Sequence, residues 1–363
     1  MMNNIYFERQ KKVSSLLAGE DISVLVLCDR EGLRNSSIRY LTGHPSDAVL
    51  FIFKDGGSIL LPWDINLAND RASATRIKPY NDYGRTLGQA VAKVLAEENV
   101  SKKSKIELPG ELPYPEFMKL YELDYNFVCR DGGLASRIED MRQIKDQSEL
   151  EIIRRASAIT DAILDKIEAA VRKGQSTETD LALLIDREAR LAGAEGTGFE
   201  TLSAAPSRSC NIHAFPSYTS ALIPDKGLSI IDFGVKYEGY TSDVTTTITK
   251  ELNKEQCHMV ELIKGAVKIA ESLLKPGTLT TDEHLLSGGY VMPHNLGHGI
   301  GLYIHEKPFL RAGVNPVKLE SGMVFTIEPG VYSPELGGIR LENDYLITDT
   351  GFERLTNCRI ISL

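Results

Sequence analysis

GLSIIDFGVKYEGYTSDVTTTITK, residues 227–250, is the stretch from which the rest of the chain is read. The apolar run SIIDF delivers Asp232 directly after a strand, and the strand-like segment 240–249 carries Asp243 among threonines, eleven residues on. Two further carboxylates have the same setting. VFTIEPG (324–330) ends an apolar strand on Glu328, and GIRLEND (338–344) embeds Glu342 in another. A buried charge is costly unless paired or bound to metal. Brought together without compensation, four such carboxylates would repel and raise one another's pKa. Two divalent cations would remove the problem, and an oxygen-rich donor set suits Mn²⁺, Fe²⁺, Co²⁺ or Zn²⁺.

Each motif taken alone has an ordinary structural explanation. A lone Asp after a strand is most often a turn-former or helix cap, and a lone Glu in a strand is usually solvated or ion-paired. DFG (232–234) occurs in kinases, but no Gly-rich phosphate loop or HRD accompanies it. HEKPF (305–309) lacks the second histidine of HExxH, which excludes a zincin, and GHGIG (297–301) lacks the GxGxxG spacing of a dinucleotide cradle. The histidines add a pointer. Of seven, His284, His294, His298 and His305 crowd into one short stretch, with His213 upstream and His44 and His258 elsewhere.

The 363 residues suggest two domains, each able to bury a core. Hydrophobic residues at 42% and charged residues at 25% exclude wholesale disorder and fibrous repeats. A net charge of −9 argues against a global nucleic-acid surface. The five cysteines form no CxxC pair and suit reduced thiols in a cytoplasmic protein. No apolar signal core opens the chain and no run of 18 apolar residues occurs, so neither secretion nor a membrane span is expected.

Along the chain, residues 1–131 alternate helical and strand patterns: a helix over 2–18, strands at 23–28, 48–53, 58–63 and 105–110, and a helix at 86–98. This predicts an α/β domain. A charged segment, 132–146, reads as a linker. From 147 a long amphipathic helix begins, with Leu150, Ile153, Ile163 and Ile167 on one face, and Thr177-Glu-Thr-Asp180 reads as a capping box before a second helix. Residues 147–363 then read as α+β with a largely antiparallel sheet, including a strand segment at 198–205 and a helix from 253 to 274.

Taken in order, HAFP (213–216), DFG, Asp243, HNLGHGIGLYIHE (294–306), TIEPG (326–330) and GIRLEND resemble the pita-bread metallopeptidases, a family that includes prolidase, aminopeptidase P and methionine aminopeptidase. NSSIRYLTG (35–43) is similar to the creatinase-type N-terminal domain of the prolidase and aminopeptidase P branch, as is RQIKDQSELEIIRRA (142–156) to the start of its catalytic domain. The resemblance thus implies an α/β creatinase-like N-terminal domain plus an α+β pita-bread catalytic domain.

It also implies a dinuclear site with two divalent ions per chain. Asp232 would chelate one, Asp243 and Glu342 would bridge both, and His298 and Glu328 would complete the other. A hydroxide held between the ions would attack the peptide carbonyl. Glu328 would shuttle the proton to the leaving amine, His213 and His305 would contact substrate, and His294 would be a further active-site histidine. Arg340 would bind a carboxylate or order the ligand shell, its planar fork favouring the former. Gly297, Gly299 and Gly301 would let the backbone bend around His298, and Pro329-Gly330 would turn Glu328 toward the pocket.

The implied activity is hydrolysis of Xaa-Pro dipeptides, with aminopeptidase P action on longer peptides as the alternative and a metal-dependent non-peptide lyase or hydrolase behind it. A homodimer is implied as well. Two departures stand out. Thr246 takes a position where the family usually has arginine, for which local repacking without loss of metal binding is expected. The segment from Gly277 to His294 is short, so a clipped helix is expected there, with consequences for specificity.

Overall fold

The computed structural model describes residues 2–174, 176–281 and 292–363. The clipped helix expected between Gly277 and His294 falls mostly outside them. The chain divides into two compact units, Met1–Arg142 and Gln143–Leu363.

The first unit is built on a six-stranded mixed sheet in the order Arg76–Ile77, Ser58–Pro62, Ala48–Phe53, Val24–Asp29, Lys105–Leu108, Asn126–Cys129. The runs VLVLCD and AVLFIF pair antiparallel and are buried along their whole length, so they show no alternation of apolar and polar residues. Helix Leu87–Glu97 covers this sheet through Ala90, Val91, Val94 and Leu95, an i, i+1, i+4, i+5 stripe that packs with Val26, Phe51 and Ile59. NSSIRYLTG forms a short helix, Ser36–Thr42, capped by the Asn35 side chain and ended by Gly43 in the left-handed conformation. Part of the segment expected as a linker, 132–146, is ordered as helix Leu134–Gln143, since Leu134 and Ile138 are both buried.

In the second unit the capping-box reading holds. Thr177 accepts from the Asp180 backbone N–H and Asp180 reaches back to the Thr177 N–H, opening helix Glu178–Leu191. The long helix Gln147–Lys173 buries Ile153, Ile163 and Ile167, while Leu150 is only half-buried. Two principal sheets follow. One has the order Ile361–Ser362, Val244–Lys250, Gly227–Phe233, Leu202–Ala204, and the other Glu306–Leu310, Gly297–Gly299, Val324–Ile327, Asn343–Ile347, Phe352–Arg354. All pairings are antiparallel except that of Val244–Lys250 with Ile361–Ser362. Period-2 alternation sorts the first sheet into two faces. Ile231, Phe233, Val244 and Ile248 join the core with the two helices, leaving Asp232, Thr245 and Thr247 on the other face.

Four strand assignments differ from the sequence reading, three of them where a ligand candidate sits. Asp232 lies inside strand Gly227–Phe233 rather than after it. The segment 240–249 is broken at Ser242–Asp243, and the strand read through GIRLEND is broken at Leu341–Glu342. At both breaks the backbone bonds leave the strand ladder: Glu342 N–H donates to the Thr245 carbonyl at 3.1 Å, and Asp243 N–H to Asp344 Oδ2 at 3.1 Å. The segment 198–205 is likewise strand only over Leu202–Ala204.

Candidate metal centre

The interrupted strands bring their polar residues to one place. Asp243, His298 and Glu342 each offer a ligand atom, and these atoms lie within 4.8 Å of one another with all three residues buried. His298 Nε2 is 3.6 Å from Asp243 Oδ2 and 3.5 Å from Glu328 Oε1. Asp232 and Glu328 line the same cavity of about 340 Å³, together with His213, His294 and His305. Ile212, Ala214, Phe199, Leu202, Ile304 and Phe309 supply apolar wall.

The electrostatics are those of a carboxylate cluster short of positive charge. Burial, reinforced by Glu342 and its other acidic neighbours, pushes the Asp243 carboxyl well above its ordinary value. Burial and Glu342 do the same to Glu328, against the pull of Arg340. Glu342 is pushed up to about 8 by burial and Asp232, despite Arg340 and the Thr245 hydroxyl. Burial and then His305 lower His298 to about 4, so it is neutral at pH 7 and its contacts with Asp243 and Glu328 are not ion pairs. Burial lowers His294 and His305 as well. A neutral imidazole facing crowded carboxylates, with Asp232 Oδ1 buried and without a hydrogen-bond partner among the described residues, is a donor set that divalent cations would satisfy.

Arg340 is the cation that the cluster does contain, and it is 2% exposed. Its Nη2 donates to Asp232 Oδ2 at 2.6 Å, Nε to Thr245 Oγ1 at 2.9 Å, and Nη1 to Tyr332 Oη at 2.7 Å and the Ile212 carbonyl at 3.3 Å. Burial alone would lower its pKa, but Asp232, Tyr332, Glu342 and Glu328 raise it. Arg340 is thus bonded to a carboxylate, that of Asp232, within the cluster itself.

Three residues the sequence reading passed over complete the arrangement. Thr245 accepts from Arg340 and donates to Glu342 Oε2 at 2.7 Å, fixing that carboxylate. Tyr332 joins Arg340 to His294, whose Nε2 lies 3.1 Å from the phenol oxygen. Asp344, fully buried, accepts the Asp243 N–H, and burial raises its pKa. Thr245 stands opposite Asp232 in the register of two strands, and neither it nor Tyr332 and Asp344 carries a local signal.

The glycines beside His298 are tightly enclosed. A Cβ at Gly297 would collide with the Thr326 carbonyl, at Gly299 with the Lys307 carbonyl, and at Gly301 with the Glu306 carboxylate. They permit close packing of the His298 strand between its neighbours, and the pairing with strand Glu306–Leu310 shifts register between His298 and Gly299. Glu306 in turn pairs with buried Lys145 at 2.9 Å, holding the segment that ends in His305, whose ring packs edge-on to His298 with centroids 4.3 Å apart. Thr246 is buried on the opposite face, and its hydroxyl donates to the Arg359 carbonyl at 2.6 Å, so it stands apart from the ligands.

The model of metallopeptidase family M24 matches residues 151–349, more than half of the chain. The chain belongs to this family and is a metallo-exopeptidase of the pita-bread fold. A putative dipeptidase of Bacillus subtilis is 34% identical over 228 residues, which is 60% of this chain and 62% of that protein. Across nearly the whole chain, the structure resembles an Xaa-Pro dipeptidase from Bacillus anthracis (TM-score 0.86, 26% identity, 99% of this chain and 100% of that one). It also resembles an X-Pro aminopeptidase from Thermotoga maritima (TM-score 0.82, 25% identity, 96% and 99%). Among the described residues, no helix is long and apolar enough to cross a membrane.

Proposed function

We propose that the protein hydrolyses the bond between the first residue and proline in Xaa-Pro dipeptides. The observation that carries the reading is the convergence of Asp232, Asp243, His298, Glu328 and Glu342 on one cavity shared with His213, His294 and His305. Asp232 would hold one divalent ion, His298 and Glu328 the other, and Asp243 and Glu342 both. When bound, two such ions supply positive charge that polarises a carbonyl and acidifies a water molecule. Glu328, with His298 at 3.5 Å and His294 at 3.9 Å, is placed to take a proton from the attacking water and return it to the proline nitrogen. His213 and His305 line the cavity and would donate to the carbonyl oxygen as negative charge develops there. Arg340 keeps Asp232 and, through Thr245, Glu342 oriented throughout.

Mn²⁺ heads the metals this oxygen-rich set suits, and the peptidase work belongs to residues 147–363. A cytoplasmic setting accords with five free cysteines, and a homodimer with the family. The likeness to the Thermotoga aminopeptidase supports a second reading, cleavage of longer peptides with proline second. Protein supplied with Mn²⁺, Co²⁺ or Zn²⁺ and offered Ala-Pro, Ala-Pro-Ala and Ala-Ala separates them. Turnover confined to Ala-Pro establishes the dipeptidase, and comparable turnover of the tripeptide establishes the aminopeptidase. No turnover with metal bound refutes both.

A further inference from the structure

We propose that Glu178, which lies outside the cavity, is a positioning residue that holds His213 in place; the inference rests on the reading of His213 as a substrate contact. Glu178 is fully buried in the first turn of helix Glu178–Leu191, and a carboxylate is kept there only if its oxygens are satisfied. Oε1 accepts the Ala205 N–H at 2.6 Å, with Arg208 Nε at 3.4 Å. Oε2 accepts both the N–H and the hydroxyl of Thr219 at 2.6 Å. Ala205 and Thr219 are the two ends of a segment without helix or strand, and that segment contributes Ile212, His213, Ala214 and Ser217 to the cavity wall.

One carboxylate therefore closes the base of the loop. The Thr219 carbonyl is held besides by the Thr179 N–H at 3.0 Å and the Thr179 hydroxyl at 2.8 Å, and further ties run from Arg208 to the Pro216 carbonyl, from the Ser203 N–H to the Ser217 carbonyl at 2.8 Å, from the Gly338 N–H to Ser209 Oγ at 2.9 Å, and from Arg340 to the Ile212 carbonyl. The last of these holds the residue before His213 from the side of Arg340, so His213 is set jointly by Arg340 and by the base that Glu178 ties. Only a carboxylate serves both ends. In Glu178→Gln one oxygen becomes an amide nitrogen, and whichever way it turns, either Ala205 or Thr219 faces a donor instead of an acceptor.

The experiment compares wild type, Glu178→Gln, Thr219→Val, His213→Ala and the double variant Glu178→Gln/His213→Ala, all loaded with Mn²⁺. Amide hydrogen exchange over 205–219 is expected to quicken about tenfold in Glu178→Gln while metal content and exchange elsewhere stay at wild-type values. On Ala-Pro, kcat/KM is expected to fall about tenfold, and the double variant to be no worse than His213→Ala alone. Should Glu178→Gln not fold, Thr219→Val removes one bond and is expected to give the same pattern at about threefold. Unchanged exchange in 205–219, or losses that multiply in the double variant, overturn the proposal. If wild type turns over no peptide, the peptidase reading fails, and the exchange measurement still decides the anchoring.

Discussion

Arg340 donates to Asp232 at 2.6 Å across 108 residues of sequence, so this buried cation of the cluster is engaged by a ligand candidate. Removing one partner of a buried pair costs about 3–5 kcal/mol, because the other charge remains buried. Arg340→Met is therefore expected to be strongly destabilised in chelator, and Arg340→Lys to fold but lose at least about tenfold in kcat/KM, since an ammonium cannot reach Asp232, Thr245 and Tyr332 together. Denaturant melts and Ala-Pro kinetics check both, and a fully active Arg340→Lys would contradict the ordering role.

Asp243→Asn and Glu342→Gln test the ligand set. Each removes a charge without removing bulk, so the fold is expected to survive, bound metal to drop below wild type, and turnover to fall about a thousandfold or more. Metal analysis after dialysis, beside the kinetics, provides the check. Intact activity in either variant would mean the ligands are wrongly assigned.

The raised carboxyl pKa of Glu342 makes a stability prediction for metal-free protein. Its ordinary value is 4.5 and in the fold it reaches about 8. Such a group contributes its full stability below the ordinary value and loses it as pH rises toward 8, at up to about 1.4 kcal/mol per pH unit. In chelator, stability relative to Glu342→Gln should thus fall between about pH 4.5 and 8, and Mn²⁺ should restore most at the upper end of that window. Melting temperatures of the two proteins across this range, with and without metal, measure it. A flat difference would show that Glu342 is not electrostatically frustrated.

Gly297→Ala and Gly299→Ala each drive a methyl group into a neighbouring carbonyl on an adjoining strand. Overpacking of this kind costs about 1–3 kcal/mol. Both variants should shift the urea midpoint downward, whereas Gly265→Ala, with open space around it in helix Lys254–Leu273, should not. Equal midpoints for all three would remove the close-packing explanation.

Much of this molecule was legible in the residues. The helix face Ile153, Ile163 and Ile167, the Thr177 and Asp180 cap, and the buried strands of the first unit depend on neighbours within a few positions, and so does the anomaly of acids set in apolar runs. Chemistry selected the ligand candidates because a carboxylate in a strand has few stable fates. What lay beyond reach were partnerships over long separations. Asp243 meets Asp344 across 101 residues, Thr245 meets Glu342 across 97, and Glu178 meets Thr219 across 41. Register between strands and the breaks at Asp243 and Glu342 decide these, and the same breaks turn side chains of two sheets toward one cavity. Local pattern says which residues are costly to bury. Only the assembled sheets say which group offsets each cost, because hydrogen-bond partners are chosen by proximity in space.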